Sequence, residues 1–183
     1  MAGGGATGDG AAGGGALRWL WLSALIVALD QWSKHAIVAT LAFGEVRGVS
    51  GFFNLVRAHN PGAAFSFLEG ASGWQRWLFT LIALGVSGVL VAWLRRLPAT
   101  ARLLPAGLAL IVGGALGNLV DRLRYGYVVD FLDFHWAGWH FWAFNIADAG
   151  ITVGAGLLLL DSLRGAHHGA PGAPGAPGAA GEA

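Results

Sequence analysis

The chain contains no cysteine, which excludes disulfides, thiolate metal sites and a cysteine nucleophile but does not identify a compartment. Charge is scarce as well. Asp, Glu, Lys and Arg supply 11% of the residues, against about a quarter in soluble domains. The net charge is +1 with no long basic run, so the footprint of a nucleic-acid binder is missing. Internal repeats of the kind that build transporters are lacking too. What is abundant is apolar: 55% of the 183 residues are hydrophobic and the mean hydropathy is +0.59. That balance specifies a polytopic membrane protein.

Residues 1–16 are almost entirely Gly and Ala. They bury too little apolar surface to offset ordering and are expected as a disordered tail. Residues 165–183, with Gly-Ala-Pro repeated to Gly178, are too short for a collagen-like helix and are expected as a second tail. Residues 17–164 form the expected membrane domain of four helices. The run from Leu17 lies too deep for a signal peptide and lacks a cleavage site after it. It is expected as a retained helix to about Phe43, interrupted at Asp30-Gln31-Trp32-Ser33-Lys34. The thirteen steps from Leu17 to Asp30 cover roughly 20 Å and place Asp30 in the outer third of a core about 30 Å thick.

Between Gly44 and Gly70, glycines and the turn signal Asn60-Pro61-Gly62 predict short strands at the membrane surface. The second helix is expected over Trp74 to about Leu94, the third over Leu103 to about Val120, and the fourth over Asn145 to about Leu163. Pro105 falls in the first turn of the third helix, where it is tolerated. Gly107, Gly113, Gly114 and Gly117 give that helix a small-residue face. Residues 123–143 are expected as an aromatic loop at the headgroup boundary, able to close over a site as a lid. Arg95, Arg96 and Arg102 mark a cytoplasmic loop, although the full tally is five Lys/Arg on that side and six on the other. Four spans put both termini in the cytoplasm and the acids together on the opposite face.

Polar residues in this background need a reason. Asp30 and Lys34 stand i, i+4 and share a helix face, either as a self-neutralising pair or in support of a site. Asn118 and Asp121 stand i, i+3 beside Arg122, either to brace the following loop or to bind. Asn145 and Asp148, again i, i+3, resemble a capping box, and a helix N-terminus favours a carboxylate at position 148. Asp130 lies between Val128-Val129 and Phe131, where desolvation raises its pKa. Two carboxylates in such different surroundings suit general acid–base chemistry, one taking a proton from water while the other protonates a carbonyl or leaving amine. Neither metal nor cofactor is required. A metal held by His135, His140 and Asp133 fits poorly, because the spacing is not helical. Ser33 and Ser66 lack a positioned base apart from Lys34. The competing class is a non-enzymatic membrane transporter or assembly factor that uses its acids for protons or contacts.

Five blocks in order, Asp30-Gln31-Trp32-Ser33-Lys34, Asn60-Pro61-Gly62-Ala63-Ala64-Phe65, Gly113 to Arg122, Val128 to Phe131 and Phe144 to Asp148, resemble the lipoprotein (type II) signal peptidases of bacteria over roughly Leu17 to Leu163. The resemblance implies an all-α integral inner-membrane aspartyl endopeptidase with four transmembrane helices and a small extracytoplasmic β platform. It implies cleavage before the diacylglyceryl-modified lipobox cysteine of prolipoproteins; membrane lipid is the other expected partner, and a monomer is expected. The dyad would fall on Asp130 and Asp148, with Asp121 as rival for the first position. Arg122, Asn60, Gly62, Asn118, Asn145 and Ala147 would hold substrate or order the dyad, and Asp30 with Lys34 would support the site.

Overall fold

The structure, a computed structural model, describes residues 15–62 and 73–168. Most of both expected tails, together with Ala63, Ala64, Phe65 and Ser66, lies outside the described residues. A 3-10 turn over Gly15–Trp19 leads into α1 (Leu20–Thr40), followed by α2 (Trp74–Arg96), α3 (Leu103–Tyr125) and α4 (Ile146–His168). Between α1 and α2 run β1 (Val46–Ser50) and β2 (Phe53–Asn60); between α3 and α4 run β3 (Val128–Trp136) and β4 (Trp139–His140). Helix α2, helix α3 and residues Ile146–Arg164 of α4 are long and apolar enough to cross a membrane. Helix α1 has the length, but Asp30, Gln31, Lys34 and His35 dilute its hydropathy.

Helix α3 is the central element, and its small-residue face works as expected. A methyl group added at Gly113 would meet Ser23 and Ile26 of α1 at 2.9 Å, and one at Gly154 of α4 would meet the Gly107 carbonyl oxygen at 2.7 Å. At Gly114 the same methyl would run into the Ala147 carbonyl. Backbones therefore approach so closely that polar groups from three helices fall within hydrogen-bond reach of one another.

Several boundaries differ from expectation. Helix α3 continues to Tyr125, so Asp121 and Arg122 lie inside it and not at its end. The true stop is Gly126, whose φ of 85° is the left-handed conformation that favours glycine and whose N–H donates to the Arg122 carbonyl; with Arg122 and Arg124 in the last turn this is a common way to end a helix. Helix α1 runs ten residues either side of Asp30, which therefore sits at its midpoint. Helix α4 continues to His168, past the expected boundary at 164.

The stretch expected as an aromatic loop is instead mostly strand. The antiparallel order is β1-β2-β3-β4, and an isolated bridge ties Leu132 to Phe144. The run Val128-Val129-Asp130-Phe131-Leu132 is rich in β-branched and aromatic residues, but its acid concealed the strand. Ile37 of α1 and Leu41 just after it pack with Val129 and Phe131 of β3, which fixes the sheet to the helix end. Pairing of β2 with β3 slips between Leu55 and Ala58, a bulge that re-aims the end of β2. Ala58 then faces Asp130, and Asn60 faces Val128.

Candidate active site

Lys34 organises the inner part of the polar cluster. Its ammonium has three protons and three acceptors: Asp30 Oδ2 at 2.8 Å, Asp121 Oδ2 at 2.9 Å and Asn118 Oδ1 at 3.0 Å. The expected self-neutralising pair is thus a triad spanning α1 and α3, and all three charged side chains are buried. Asp30 turns its other oxygen to the Ala147 N–H at 2.9 Å, so it satisfies a free donor in the first turn of α4. Asp121 is equally occupied: Oδ1 accepts from Gln31 at 2.8 Å and Oδ2 also accepts from the Val129 N–H at 3.0 Å. Its cation is Lys34 and not the neighbouring Arg122, whose guanidinium lies over the Phe79 ring at 5.1 Å.

The outer part of the cluster holds the other two acids. Asn145 is fully buried at the start of α4. Its Nδ2 donates to Asp130 Oδ1 at 2.7 Å, with the Asn118 and Val129 oxygens at 3.1 and 3.3 Å. Its Oδ1 accepts from the Asp148 N–H at 3.0 Å, while Asp148 Oδ2 accepts from the Asn145 N–H at 3.2 Å. The capping box suggested by the spacing is therefore present, and it does not compete with a site role. The same Asn145 side chain joins the cap to Asp130.

Asn118 closes the network by donating to Asp148 Oδ1 at 2.8 Å. From β2, Asn60 donates to Asp130 Oδ2 at 2.9 Å, with its own Oδ1 fixed by the Gly62 N–H at 2.9 Å. Asp130 is buried and Asp148 only half-buried. Burial, reinforced by the charge of Asp148 and opposed by the two asparagine donors and Lys34, pushes the pKa of Asp130 up to about 6. Arg122 interacts electrostatically with Asp148, Asp130 and Asp121, in decreasing order. Beside Asp148 an apolar recess of about 410 Å³ opens between Phe141, Phe144, Ala149, Thr152 and Val153.

Every site residue named from the sequence thus lies in or against one network. The residue that sequence reasoning missed is Gln31, which donates to Asp30, Asp121 and the Gly117 carbonyl; a glutamine next to an acid in an apolar helix was its signal. His135 and His140 pair across the β3–β4 hairpin, and His140 Nδ1 lies 3.0 Å from Asp133, which also accepts from Asn54 at 2.8 Å. This fastens the hairpin to the sheet. Among the described residues no group of three or more His, Cys, Asp or Glu could hold a metal ion.

Residues 22–164 match the family described as Signal peptidase (SPase) II. The chain is 56% identical over 153 residues to the lipoprotein signal peptidase of Ralstonia nicotianae, covering 83% of this chain and 87% of that one. It is 54% identical over 153 residues to that of Burkholderia vietnamiensis, at 84% and 92% coverage. It is 53% identical over 148 residues to that of Alteromonas mediterranea, at 81% of both chains. In fold it is similar to a bacterial membrane enzyme solved by the in meso method at 2.3 Å, with a TM-score of 0.74 at 28% identity over 86% of this chain and 94% of that one. A second bacterial membrane enzyme, solved at 1.9 Å, gives a TM-score of 0.69 at 30% identity, covering 80% and 93%. With a family match over most of its length and relatives above half identity, the chain belongs to the signal peptidase II family.

Proposed function

We propose that the protein is an aspartyl endopeptidase that removes signal peptides from diacylglyceryl-modified prolipoproteins, cutting before the lipidated cysteine, with Asp130 and Asp148 as the dyad. The observation that carries the assignment is the division of the acids. Asp30 and Asp121 are engaged by Lys34, Gln31 and backbone N–H groups, whereas the hydrogen bonds to Asp130 and Asp148 come from neutral donors and the two acids flank one asparagine. Four carboxylates here face two cations, Lys34 and Arg122, so full ionisation leaves the buried cluster at −2. One proton shared by the dyad relieves that excess, and Asp130, with its raised pKa, is the natural holder.

In this scheme Asp148 removes a proton from water as the oxygen attacks the carbonyl carbon before the lipidated cysteine. Asp130 gives its proton to the carbonyl oxygen, forming a tetrahedral diol. Collapse breaks the C–N bond, returns a proton to Asp130 and transfers one to the leaving amine. Asn60, Asn118 and Asn145 hold the carboxylates in register, and Arg122 stabilises developing negative charge. The apolar recess beside Asp148 suits a substrate whose scissile bond is flanked by apolar groups and a lipid. The transporter or assembly-factor alternative has no comparable support.

The remaining architecture follows the same reading. All four helices cross the inner membrane, α1 through its neutralised triad, with both termini cytoplasmic and the sheet and acids at the extracytoplasmic face. Residues 17–164 are the working domain between two disordered tails, and the enzyme acts as a monomer.

The test is incubation of the purified full-length chain in detergent with a diacylglyceryl-modified precursor. Release of the signal peptide is expected, and Asp130→Asn and Asp148→Asn should each lower kcat by about 10³-fold or more while still inserting in the membrane. Near-normal cleavage by Asp130→Asn would move the acid role to Asp121. Activity is also expected to persist in chelator, and its recovery by added zinc after loss would revive the histidine reading.

A further inference from the structure

On the face of β2 turned away from Asp130 lies a column of rings. His59 sits between Phe43, with centroids 4.3 Å apart and planes tilted by 31°, and Tyr127, stacked at 3.9 Å and 21°; Tyr125 extends the column at 5.8 Å. Phe43 belongs to the link from α1 to β1, His59 to β2, and the tyrosines to the exit from α3 into β3. The column therefore ties together the segments that carry Lys34, Asn60 and Asp130. Among the described residues the buried imidazole Nε2 has no hydrogen-bond partner, and ring packing holds the side chain. Desolvation, with help from the Arg57 charge, lowers its pKa, and the ring stays neutral near pH 7.

Asn60 is the next residue and the last of β2. The register with β1 ends at Val56, and Arg57 still bonds to Gly44 and Glu45, so among the described residues the last three positions of β2 are laddered to β3 alone. Alternation along a strand sends the His59 ring into the column and the Asn60 amide to Asp130, 2.9 Å away. The β3 ladder, the Gly62 N–H and, through the neighbouring residue, the ring column hold that amide in place.

We infer that His59 is a positioning residue for the reaction: its stack between Phe43 and Tyr127 fixes the end of β2 so that Asn60 keeps its hydrogen bond to Asp130. The inference rests on the assignment of Asp130 above. Asp130 also faces Asn145 and Asp148 from α4, Lys34 from α1 and Arg122 from α3. Loss of the Asn60 bond leaves those groups in place and raises the pKa of Asp130 further, because that bond favours its ionised form.

The experiment is the pH profile of kcat/KM for the full-length chain in detergent, on a diacylglyceryl-modified precursor peptide. Its alkaline limb reports proton loss from the acid of the dyad in the free enzyme. His59→Ala is expected to lower kcat about tenfold and to move that limb up by about one pH unit. Asn60→Ala should move it in the same direction, and the double variant no further. His59→Phe, which keeps the stack without a ring nitrogen, should restore the wild-type limb. If His59→Ala does not fold, His59→Leu fills the space without a planar stack and should show the same displacement. A lower kcat with the limb unmoved overturns the inference, as does a limb displaced equally in His59→Phe. Failure of the parent reading is distinguishable: cleavage that survives Asp130→Asn removes that assignment without involving His59.

Discussion

At the scale of single residues, the site separates four similar carboxylates by what each one touches. Asp121 holds Lys34 and the Val129 N–H with both partners buried, so its neutral isostere breaks an ion pair that cannot be rehydrated. Asp121→Asn is therefore expected to lower Tm by about 10 °C, from a cost of about 3–5 kcal/mol, and a thermal melt in detergent checks it. Asp130 behaves in the opposite sense. Burial raises its pKa from 3.8 to about 6, so the folded state prefers the protonated acid. Its contribution to stability is complete below about pH 4 and is lost as pH rises through 6, a change of about 3 kcal/mol. Asp130→Asn, which cannot ionise, should gain on the wild type between pH 4 and 7. A difference in Tm that stays flat across that window contradicts the buried environment assigned to Asp130.

At the scale of elements, α3 decides whether the network exists. Gly114 packs on the Ala147 carbonyl at the start of α4, so Gly114→Ala must push α4 away and pull Asn145 and Asp148 from Asn118 and Asp130. Both stability and cleavage are expected to fall, kcat by about 100-fold given the sensitivity of such sites to a misplacement of about 1 Å. Gly88 of α2 has no atom within 4 Å of an added methyl. Gly88→Ala should be neutral or stabilising by up to about 1 kcal/mol. Equal damage from the two substitutions in parallel melts and assays would remove close α3–α4 packing as the cause. The strand pair of β2 and β3 is the other decisive element, since its bulge brings Ala58 opposite Asp130 and leaves Asn60 one step further along the same edge.

At the scale of the whole molecule, α1, α3, the start of α4 and the sheet converge on one polar centre, while Ala16, Leu94 and Leu108 form a separate apolar cluster near the arginines that end α2. A fluorescent-protein reporter fused after residue 183 is expected to fluoresce in the cytoplasm, and a periplasmic phosphatase reporter at the same place to stay inactive. The reverse pattern would invert the proposed orientation.

The sequence by itself determined the membrane class, the places of the helices to within a few residues, and the identity of every acid and asparagine in the network except the part played by Gln31. Long apolar runs, a small-residue face and polar residues at i, i+3 and i, i+4 are local patterns, and local patterns survive in a linear text. Only the tertiary structure decided how the charges pair, that Lys34 serves Asp121 as well as Asp30, that Asp121 is bound up in structure, and that an expected loop is the strand carrying Asp130. Pairing of Val129 with His59, or of Lys34 with Asp121, joins residues dozens of positions apart. Such choices depend on which backbones can approach closely enough, and that is a property of packed helices rather than of neighbouring letters.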